Sequence, residues 1–441
     1  MADGRYEDGI APGRLGKAEY GENFSDLHPP LNRHEALVES DRCYFCHDAP
    51  CMNACPTSID IPLFIREIST GNAIGAARTI FDQNILGGMC ARVCPTETLC
   101  EEVCVRQVAE GKPVKIGLLQ RHATDAAMRQ KKQFYKRASA TGKKVAVVGA
   151  GPAGLACAHR LAMHGHQVEM FEARPKPGGL NEYGIAAYKT TDGFAQAEVD
   201  YITAIGGIEI KHGKALGKHI TLDGLVAKYD AVFLGMGLAG INALAKGDSK
   251  AKGSEDAVEW ISVLRQAKSV KNVPVGRRVV VIGGGMTAID AAVQSKALGA
   301  DEVTVCYRGP QARMKASAYE QELARSRGVV LRFDMQPVQI VARGGKVAAM
   351  QFIRYGEKTV IACDQVMKAI GQAYVPQAAK TAHSAIALKD GRVKVNAEGR
   401  TSNRKVWAGG DCVAAGDDLT VTAVAQGRDA AASIHRAFAG K

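Results

Sequence analysis

The sequence predicts an α/β protein: a small, α-helical, cysteine-rich domain ahead of two Rossmann-like dinucleotide-binding domains, the first of them interrupted by the second. Three observations predict it. Eight of the twelve cysteines fall between Cys43 and Cys104, spaced Cys43-x2-Cys46-x4-Cys51-x3-Cys55 and Cys90-x3-Cys94-x5-Cys100-x3-Cys104. Two glycine runs sit between an apolar strand and a helix, Gly149-Ala150-Gly151-Pro152-Ala153-Gly154 and Gly283-Gly284-Gly285-Met286-Thr287-Ala288. The 441 residues exceed one ordinary core.

In chain order, residues 1 to about 42 are polar, include Pro29 and Pro30, and read as an arm ending in a short helix from Arg33 to Ser40. From Asp41 to about Met128 the cysteines alternate with helical stretches such as Ile61 to Ser69 and Ala73 to Asn84, with no strand-like run. The basic segment up to Gly142 reads as a linker. Val145 to Val148 is then a strand, followed by a helix through Leu161 that stops near Gly165, and a strand from Gln167 to Phe171. That is a βαβ unit. A second starts at Arg278, with strand Val279 to Ile282, helix Thr287 to Leu298 and strand Glu302 to Cys306. Apolar strands ending in glycine, Ala231 to Gly237 and Gln365 to Gly371, read as the crossings where the chain leaves the first fold and returns. The expected domains are 1–142, 143–250 and 251–366, with 367–441 completing the second of these.

Composition narrows the class. The chain is 46% hydrophobic and 23% charged, and no apolar run is long enough to span a bilayer. Its start, Met1 to Asp8, carries acids and no apolar h-region, which argues against a secretory signal and for the cytoplasm. In a reducing compartment twelve cysteines favour thiolates on metal over disulfides. The net charge of +12 is spread thinly apart from Arg129 to Lys144, which holds Lys131, Lys132, Lys136, Arg137 and Lys143. A solvated linker accounts for that run; an acidic partner surface or nucleic acid is the alternative, and no nucleic-acid motif accompanies it.

In the first glycine motif, Gly149 allows the tight turn, Gly151 lets backbone approach a pyrophosphate, and Gly154 lets helix and strand pack closely. The pyrophosphate would sit on the helix N-terminus, among Ala150, Pro152 and Ala153. Glu172, ending the next strand, would accept from adenosine ribose hydroxyls. Pro177-Gly178-Gly179-Leu180 follows, and Gly409-Gly410-Asp411 precedes a helix starting near Thr420. This trio resembles FAD-containing reductases with two dinucleotide domains. The resemblance implies that Asp411 binds the ribityl chain and that Thr420, Val421 and Thr422 point a helix N-terminus at the ring, where it stabilises the negative charge of reduced flavin.

The second motif repeats the logic at Gly283, Gly284, Gly285, Met286 and Thr287, with Ala288 in the third position. Tyr307-Arg308 replaces the acid usual after the next strand, so the residues lean toward the 2′-phosphate of NADPH, with Arg313 and Lys315 assisting; surface cations of a basic protein are the alternative. Gly371, closing the returning strand, is grouped with the cofactor-binding residues.

Among the cysteines only Cys43-x2-Cys46 has zinc-pair spacing. Cys55-Pro56 and Cys94-Pro95 are ferredoxin-like, and two 4Fe–4S clusters with crossed ligation follow. Cys157, Cys306, Cys363 and Cys412 read as packed hydrophobes, and neither dinucleotide domain has a CxxC or CxxxxC pair for disulfide reduction.

Cys43-Tyr-Phe-Cys46-His-Asp-Ala-Pro50-Cys51, Cys55-Pro56, Gly75-Ala-Ala-Arg-Thr-Ile80, Cys90-Ala-Arg-Val-Cys94-Pro95-Thr96 and both glycine motifs resemble the N-terminal half of dihydropyrimidine dehydrogenase and the homologous small subunit of glutamate synthase. The resemblance spans about residues 35–438 and extends to the PreT-type subunit of the bacterial NAD-dependent enzyme. It implies one cluster on Cys43, Cys46, Cys51 and Cys104, and another on Cys55, Cys94, Cys100 and the amide of Gln120, leaving Cys90 unligated. Read on its own, Gln120 is an ordinary polar helix residue, and counting alone would enlist Cys90. The family's Phe-Arg-Leu-Pro segment is here Tyr188-Lys189-Thr190-Thr191, so Lys189 would replace its arginine at the flavin. The family's Arg-Lys pair is here Arg308-Gly309, which favours NAD and leaves the coenzyme, NAD(H) or NADP(H), open.

The resemblance implies that NAD(P)H reduces FAD, that electrons leave singly through the clusters, and that a separate, FMN-containing, PreA-like subunit in a hetero-oligomer reduces uracil or thymine. A glutamate synthase small subunit is the same path serving another partner. A nucleotide-sensing scaffold with zinc in its cysteine sites is the reading from another class.

Overall fold

The computed structural model describes residues 7–244, 250–376 and 381–440; the first six residues of the expected arm lie outside them. The chain divides into two units. One comprises residues 28–182, 192–240 and 373–441, the other residues 1–27, 183–191 and 241–372.

The first unit holds the cysteines and the first glycine motif. Short helices carry the cysteine region, among them Arg33–Ser40, Ile61–Ser69, Ala73–Gln83, Gly87–Val93 and Ile116–Arg129. They start where local chemistry starts them. Asn32 caps the first in a capping box with Glu35, Asp60 caps the second ahead of Pro62, and Asn72 caps the third through the Gly75 N–H. Behind them lies a five-stranded parallel sheet in the order Val406–Ala408, Ala231–Leu234, Lys144–Val148, Gln167–Phe171, Ile208–Lys211. The C-terminal strand beside Ala231–Leu234 makes this dinucleotide fold discontinuous.

One hydrophobic core runs from the cysteine helices into this sheet, taking in Phe64, Ile80, Phe81, Leu119, Val145, Leu155, Phe233 and Ile434. The basic segment is exposed along most of its length, as a linker should be, but it is tethered at a few residues. Phe134 packs on Phe81 with ring centroids 6.2 Å apart, and the Tyr135 hydroxyl donates to Asp82 at 2.7 Å. Arg137 donates to the carbonyls of Gly165 and His166.

The second unit is the inserted nucleotide fold. Its parallel sheet runs Ser254–Asp256, Gln365–Ala369, Arg278–Gly283, Glu302–Cys306, Val330–Arg332. Gln365–Ala369 is a full member of this sheet, so the return to the first fold comes after Gln372, past the expected boundary at 366. An antiparallel meander of Gln336–Arg343, Lys346–Arg354 and Glu357–Ala362, absent from the sequence reading, packs Ile340, Val347, Met350 and Phe352 into one core with Val280, Ile282 and Cys306 of the parallel sheet.

The arm also departs from expectation, because residues 7–27 belong to this unit and not to the cysteine domain. Ala11 pairs with Val275. Arg14 is 1% exposed, donates to the Val275 carbonyl at 3.1 Å and caps the carbonyls of Glu7 and Gly9. Tyr20 of the helix Lys17–Asn23 enters the core beside Trp260 and Ile289.

Candidate functional site

The first glycine loop is shaped by close approach. Gly149 has φ +94°, and a Cβ there would stand 2.3 Å from the Gly235 carbonyl. A Cβ on Gly154 would stand 1.9 Å from the Gly149 carbonyl oxygen, so the helix Pro152–Met163 can leave the strand only through glycine. Gly179 brings a second backbone against the loop, its Cβ position 2.8 Å from the Gly151 Cα, and the Gly178 N–H donates to the Ala150 carbonyl at 2.7 Å. Leu180, next in line, is partly exposed. Glu172 is buried and braces the turn, accepting from the N–H groups of Ala150 and Arg174 at 2.8 Å each. Each carboxylate oxygen keeps a lone pair for a ribose hydroxyl.

The C-terminal strand brings Gly409, Gly410 and Asp411 to the same edge of the sheet. The last helix, Thr420–Phe438, begins there with no side-chain cap, leaving its first-turn N–H groups to a ligand. Thr420 donates to Asn181 at 2.9 Å, and Val421 is buried. Thr422 packs near Gly416. Gln426, which the sequence reading missed, pins both sides of the turn: it accepts from the Gly410 N–H at 2.6 Å and donates to the Ala415 carbonyl at 2.9 Å. Burial, with Asp418 nearby, pushes the Asp411 carboxyl up to about 6. The residues present fit a dinucleotide whose pyrophosphate lies on one helix and whose charged ring end lies on another.

Lys189 is the residue expected to replace an arginine at the flavin. It is buried in the second unit, its ammonium held by Asp290 at 2.7 Å and Glu320 at 2.8 Å, with Tyr188 donating to the same Asp290. Two carboxylates keep it charged despite burial. In the same unit Gly283 has φ +150°, with its Cβ position 2.3 Å from the Ala369 carbonyl. Gly284 carries the face of the Tyr307 ring, 2.3 Å from its own Cβ position. Gly285 caps the helix Met286–Ala297, so Met286 and Thr287 form its first turn. The Ala316 N–H donates to the Gly284 carbonyl at 2.9 Å, which brings Lys315 beside the loop. Arg308 and Lys315 are exposed, and Gly371, at φ +95°, closes the strand run.

The cysteines separate into two groups. Cys43, Cys46, Cys51 and Cys104 line one pocket walled by Ile61, Pro62, Ile65, Val114 and Ile116. Cys104 comes to it from far along the chain, as the N-cap of the helix Val105–Glu110. Phe45, a non-glycine residue at φ +51°, turns the backbone so that its N–H donates to the Cys43 sulfur at 3.4 Å. Burial pushes the Cys51 thiol up to about 12, with Cys104 and Cys43 adding to the shift.

Cys55, Cys94 and Cys100 form the second group: the hydrogen bond to Cys90 and then burial push Cys94 up and burial pushes Cys100 up, with Cys100 and Cys55 adding to the rise at Cys94 and Cys55 to that at Cys100. Cys90 lies beneath Cys94 and is buried. Gln120, on the helix Ile116–Arg129, is buried and donates through Nε2 to the Gly87 carbonyl at 2.7 Å, which orients its amide. Among the described residues no three His, Cys, Asp or Glu side chains close around a point where one ion would sit. Cys157, Cys306, Cys363 and Cys412 are buried. Among the described residues no helix is long and apolar enough to cross a membrane.

The fold and these sites define an NAD(P)-dependent flavin and iron–sulfur oxidoreductase. Residues 20–132 match the family described as dihydropyrimidine dehydrogenase domain II, 4Fe–4S cluster, and residues 143–427 match the pyridine nucleotide-disulphide oxidoreductases. Among relatives, the NAD-dependent dihydropyrimidine dehydrogenase subunit PreT of Escherichia coli O157:H7 is 35% identical over 95% of this chain and 98% of its own. The glutamate synthase [NADPH] small chain of Escherichia coli K12 is 33% identical over 93% of each. Mycobacterium tuberculosis FprA in complex with NADPH shares the fold at TM-score 0.57, with 18% identity over 68% of this chain and 85% of its own. Thioredoxin reductase of T. acidophilum does so at TM-score 0.55, with 22% identity over 67% and 99%. The chain belongs to the pyridine nucleotide-disulphide oxidoreductase family, in the branch with an N-terminal iron–sulfur domain that holds PreT and the glutamate synthase small chain. Its cofactors are FAD, 4Fe–4S clusters and NAD(P)H.

Proposed function

We propose that this chain is the electron-input subunit of a dihydropyrimidine dehydrogenase, working in the cytoplasm with an FMN-containing partner subunit that reduces uracil or thymine. The carrying observation is that the cysteine helices and the first nucleotide sheet share one core, so both cysteine groups stand in a fixed relation to the glycine cradle. When bound, FAD takes the hydride pair from NAD(P)H and the clusters carry single electrons onward.

The chain's own residues then have assignable roles. Gly149, Gly151, Gly154 and the first turn of Pro152–Met163 hold the pyrophosphate, Glu172 the ribose, Asp411 the ribityl chain, and Thr420 to Thr422 the ring. Cys43, Cys46, Cys51 and Cys104 hold one cluster. Cys55, Cys94 and Cys100 hold the other, with Gln120 rather than Cys90 as fourth donor because its amide is already oriented by Gly87. Arg308 and Lys315 flank the nicotinamide-side loop and set the choice between NAD and NADP.

Anaerobic titration of the holoprotein with NADH is expected to bleach the flavin and then the clusters; an unbleached flavin would overturn the input step. The relative identities, 35% and 33%, keep the glutamate synthase small chain as a second reading. Supplying each large subunit in turn and assaying uracil reduction against glutamate formation separates the two.

A further inference from the structure

Cys55 opens a tight turn. Pro56 follows with its backbone preset for the second position, the Ser58 N–H closes the turn on the Cys55 carbonyl at 2.8 Å, and Ser58 itself stands at φ +53°, in the left-handed region. That folding-back sets Thr57 beside the thiol that precedes it, with its Oγ1 3.3 Å from the Cys55 sulfur. Thr57 is 0% exposed, so bulk water does not compete for the hydroxyl.

The turn is held from its far side by the flavin cradle. Arg428, about two turns into the helix Thr420–Phe438, donates through Nη1 to the Thr57 carbonyl at 2.8 Å and to the Gln83 carbonyl at 2.9 Å. Its Nε donates to Asp429. Arg160, on the helix Pro152–Met163, donates to the neighbouring Asp82 carbonyl at 2.7 Å. Both helices of the cradle therefore grip the end of Ala73–Gln83, and one of them also grips the turn that carries Cys55.

Burial alone does not call for this bond. Other fully buried hydroxyls of the same unit turn to backbone carbonyls, Ser40 to Leu37 at 2.8 Å and Thr124 to Gln120 at 3.0 Å. That of Thr57 turns to sulfur. A cysteine that binds iron is a thiolate with lone pairs and no proton, so in the holoprotein the hydroxyl donates and the sulfur accepts. A donor aimed at a ligating sulfur draws negative charge off the cluster, and because reduction adds negative charge, the bond favours the reduced form. The two cysteine groups differ here in kind. Cys43 takes its bond from the Phe45 backbone N–H, which any residue would supply, and Cys55 from a side chain that a substitution can remove.

We propose that Thr57 sets the potential of the cluster on Cys55, Cys94, Cys100 and Gln120: its hydroxyl bonds the Cys55 thiolate and makes that cluster easier to reduce. The single electron comes from NAD(P)H through FAD, and the proton stays on the hydroxyl throughout, so no co-reactant is needed. This rests on the ligand assignment proposed above.

The test is a redox titration of the holoprotein followed by EPR, with the other cluster as internal control. In Thr57→Val, which keeps the branched shape and loses the donor, the equilibrium of the Cys55 cluster is expected to move roughly tenfold against reduction, about 59 mV for one electron. The cluster on Cys43, Cys46, Cys51 and Cys104 should stay where it was, and Thr57→Ser, which keeps a hydroxyl, should restore most of the shift. Electron–nuclear double resonance of the reduced wild type should show a coupled proton that exchanges in D2O and is missing from Thr57→Val. Equal equilibria in wild type and Thr57→Val, or a serine variant that behaves like the valine one, overturns the proposal. Should the valine variant lose iron, the wild-type spectrum decides: an exchangeable coupled proton supports the proposal and its absence overturns it. Cys55→Ser separates the two levels of the argument. If it alters neither cluster, the ligand assignment falls and the hydrogen bond with it; if it alters one cluster while Thr57→Val shifts nothing, the hydrogen bond alone falls.

Discussion

At the scale of single residues, three substitutions discriminate between roles. Gln120→Ala is expected to change the EPR signal or the iron content of one cluster, whereas Cys90→Ala keeps both iron and sulfide and costs about 1 kcal/mol of stability through a small buried cavity. The reverse pattern would make Cys90 the eighth ligand. Gly154→Ala places a methyl group 1.9 Å from the Gly149 carbonyl, and the flavin-to-protein ratio should collapse while cluster iron persists. Asp411 carries a pH signature. Its folded value of about 6 lies above the ordinary 3.8, so between those values the folded chain holds a proton that the unfolded chain has released. Stability of the flavin-free protein from this group is therefore full at low pH and falls as pH rises through about 3.8 to 6, by about 3 kcal/mol at most. Thermal midpoints of wild type and Asp411→Asn should diverge across that window, the wild type losing more.

Elements carry predictions of their own. The last helix seats on Pro152–Met163 through Gly427, where a Cβ would meet the Ala153 carbonyl at 2.1 Å. Gly427→Ala is expected to push the two helices apart, cost about 1–3 kcal/mol and weaken FAD binding together with stability. Its denaturant midpoint and flavin content should fall in step. The N-terminal arm behaves as a strap on the nucleotide fold of the second unit, since Arg14, Ala11 and Tyr20 are all buried in it. Removing residues 1–27 should lower the melting midpoint and raise the KM for NAD(P)H, with iron content unchanged. An arm that is mere decoration would leave all three alone. Neither the strap nor the antiparallel meander was legible in advance. The arm is polar in composition and buries only a few side chains, and the meander's strands alternate too irregularly, with exposed Ile353 and Val360 among them.

At the scale of the whole molecule, the net charge of +12 bears on association. Binding to an acidic partner subunit should slow steeply with ionic strength while the dissociation rate changes little, which stopped-flow mixing at two salt concentrations would read out. A salt-independent on-rate would mean that the basic segment serves only its internal contacts, such as Tyr135 to Asp82 and Arg137 to Gly165.

What the sequence determined by itself was local chemistry. The glycine loops at Gly149 and Gly283 and the thiol spacings at Cys43 to Cys55 depend on residues a few positions apart, so pattern and steric demand suffice to read them. From the sequence the discontinuity of the first fold was legible too, but not its point of return: Gln365–Ala369 stays in the second sheet, and Val406–Ala408 is the strand that rejoins the first. Only the tertiary structure brought Cys104 to the pocket of Cys43, set Lys189 between Asp290 and Glu320, docked the arm, and buried Glu198 against the Met89 amide. Each of these joins positions far apart in the chain, where partner choice is set by which surfaces exclude water together. No local period records that.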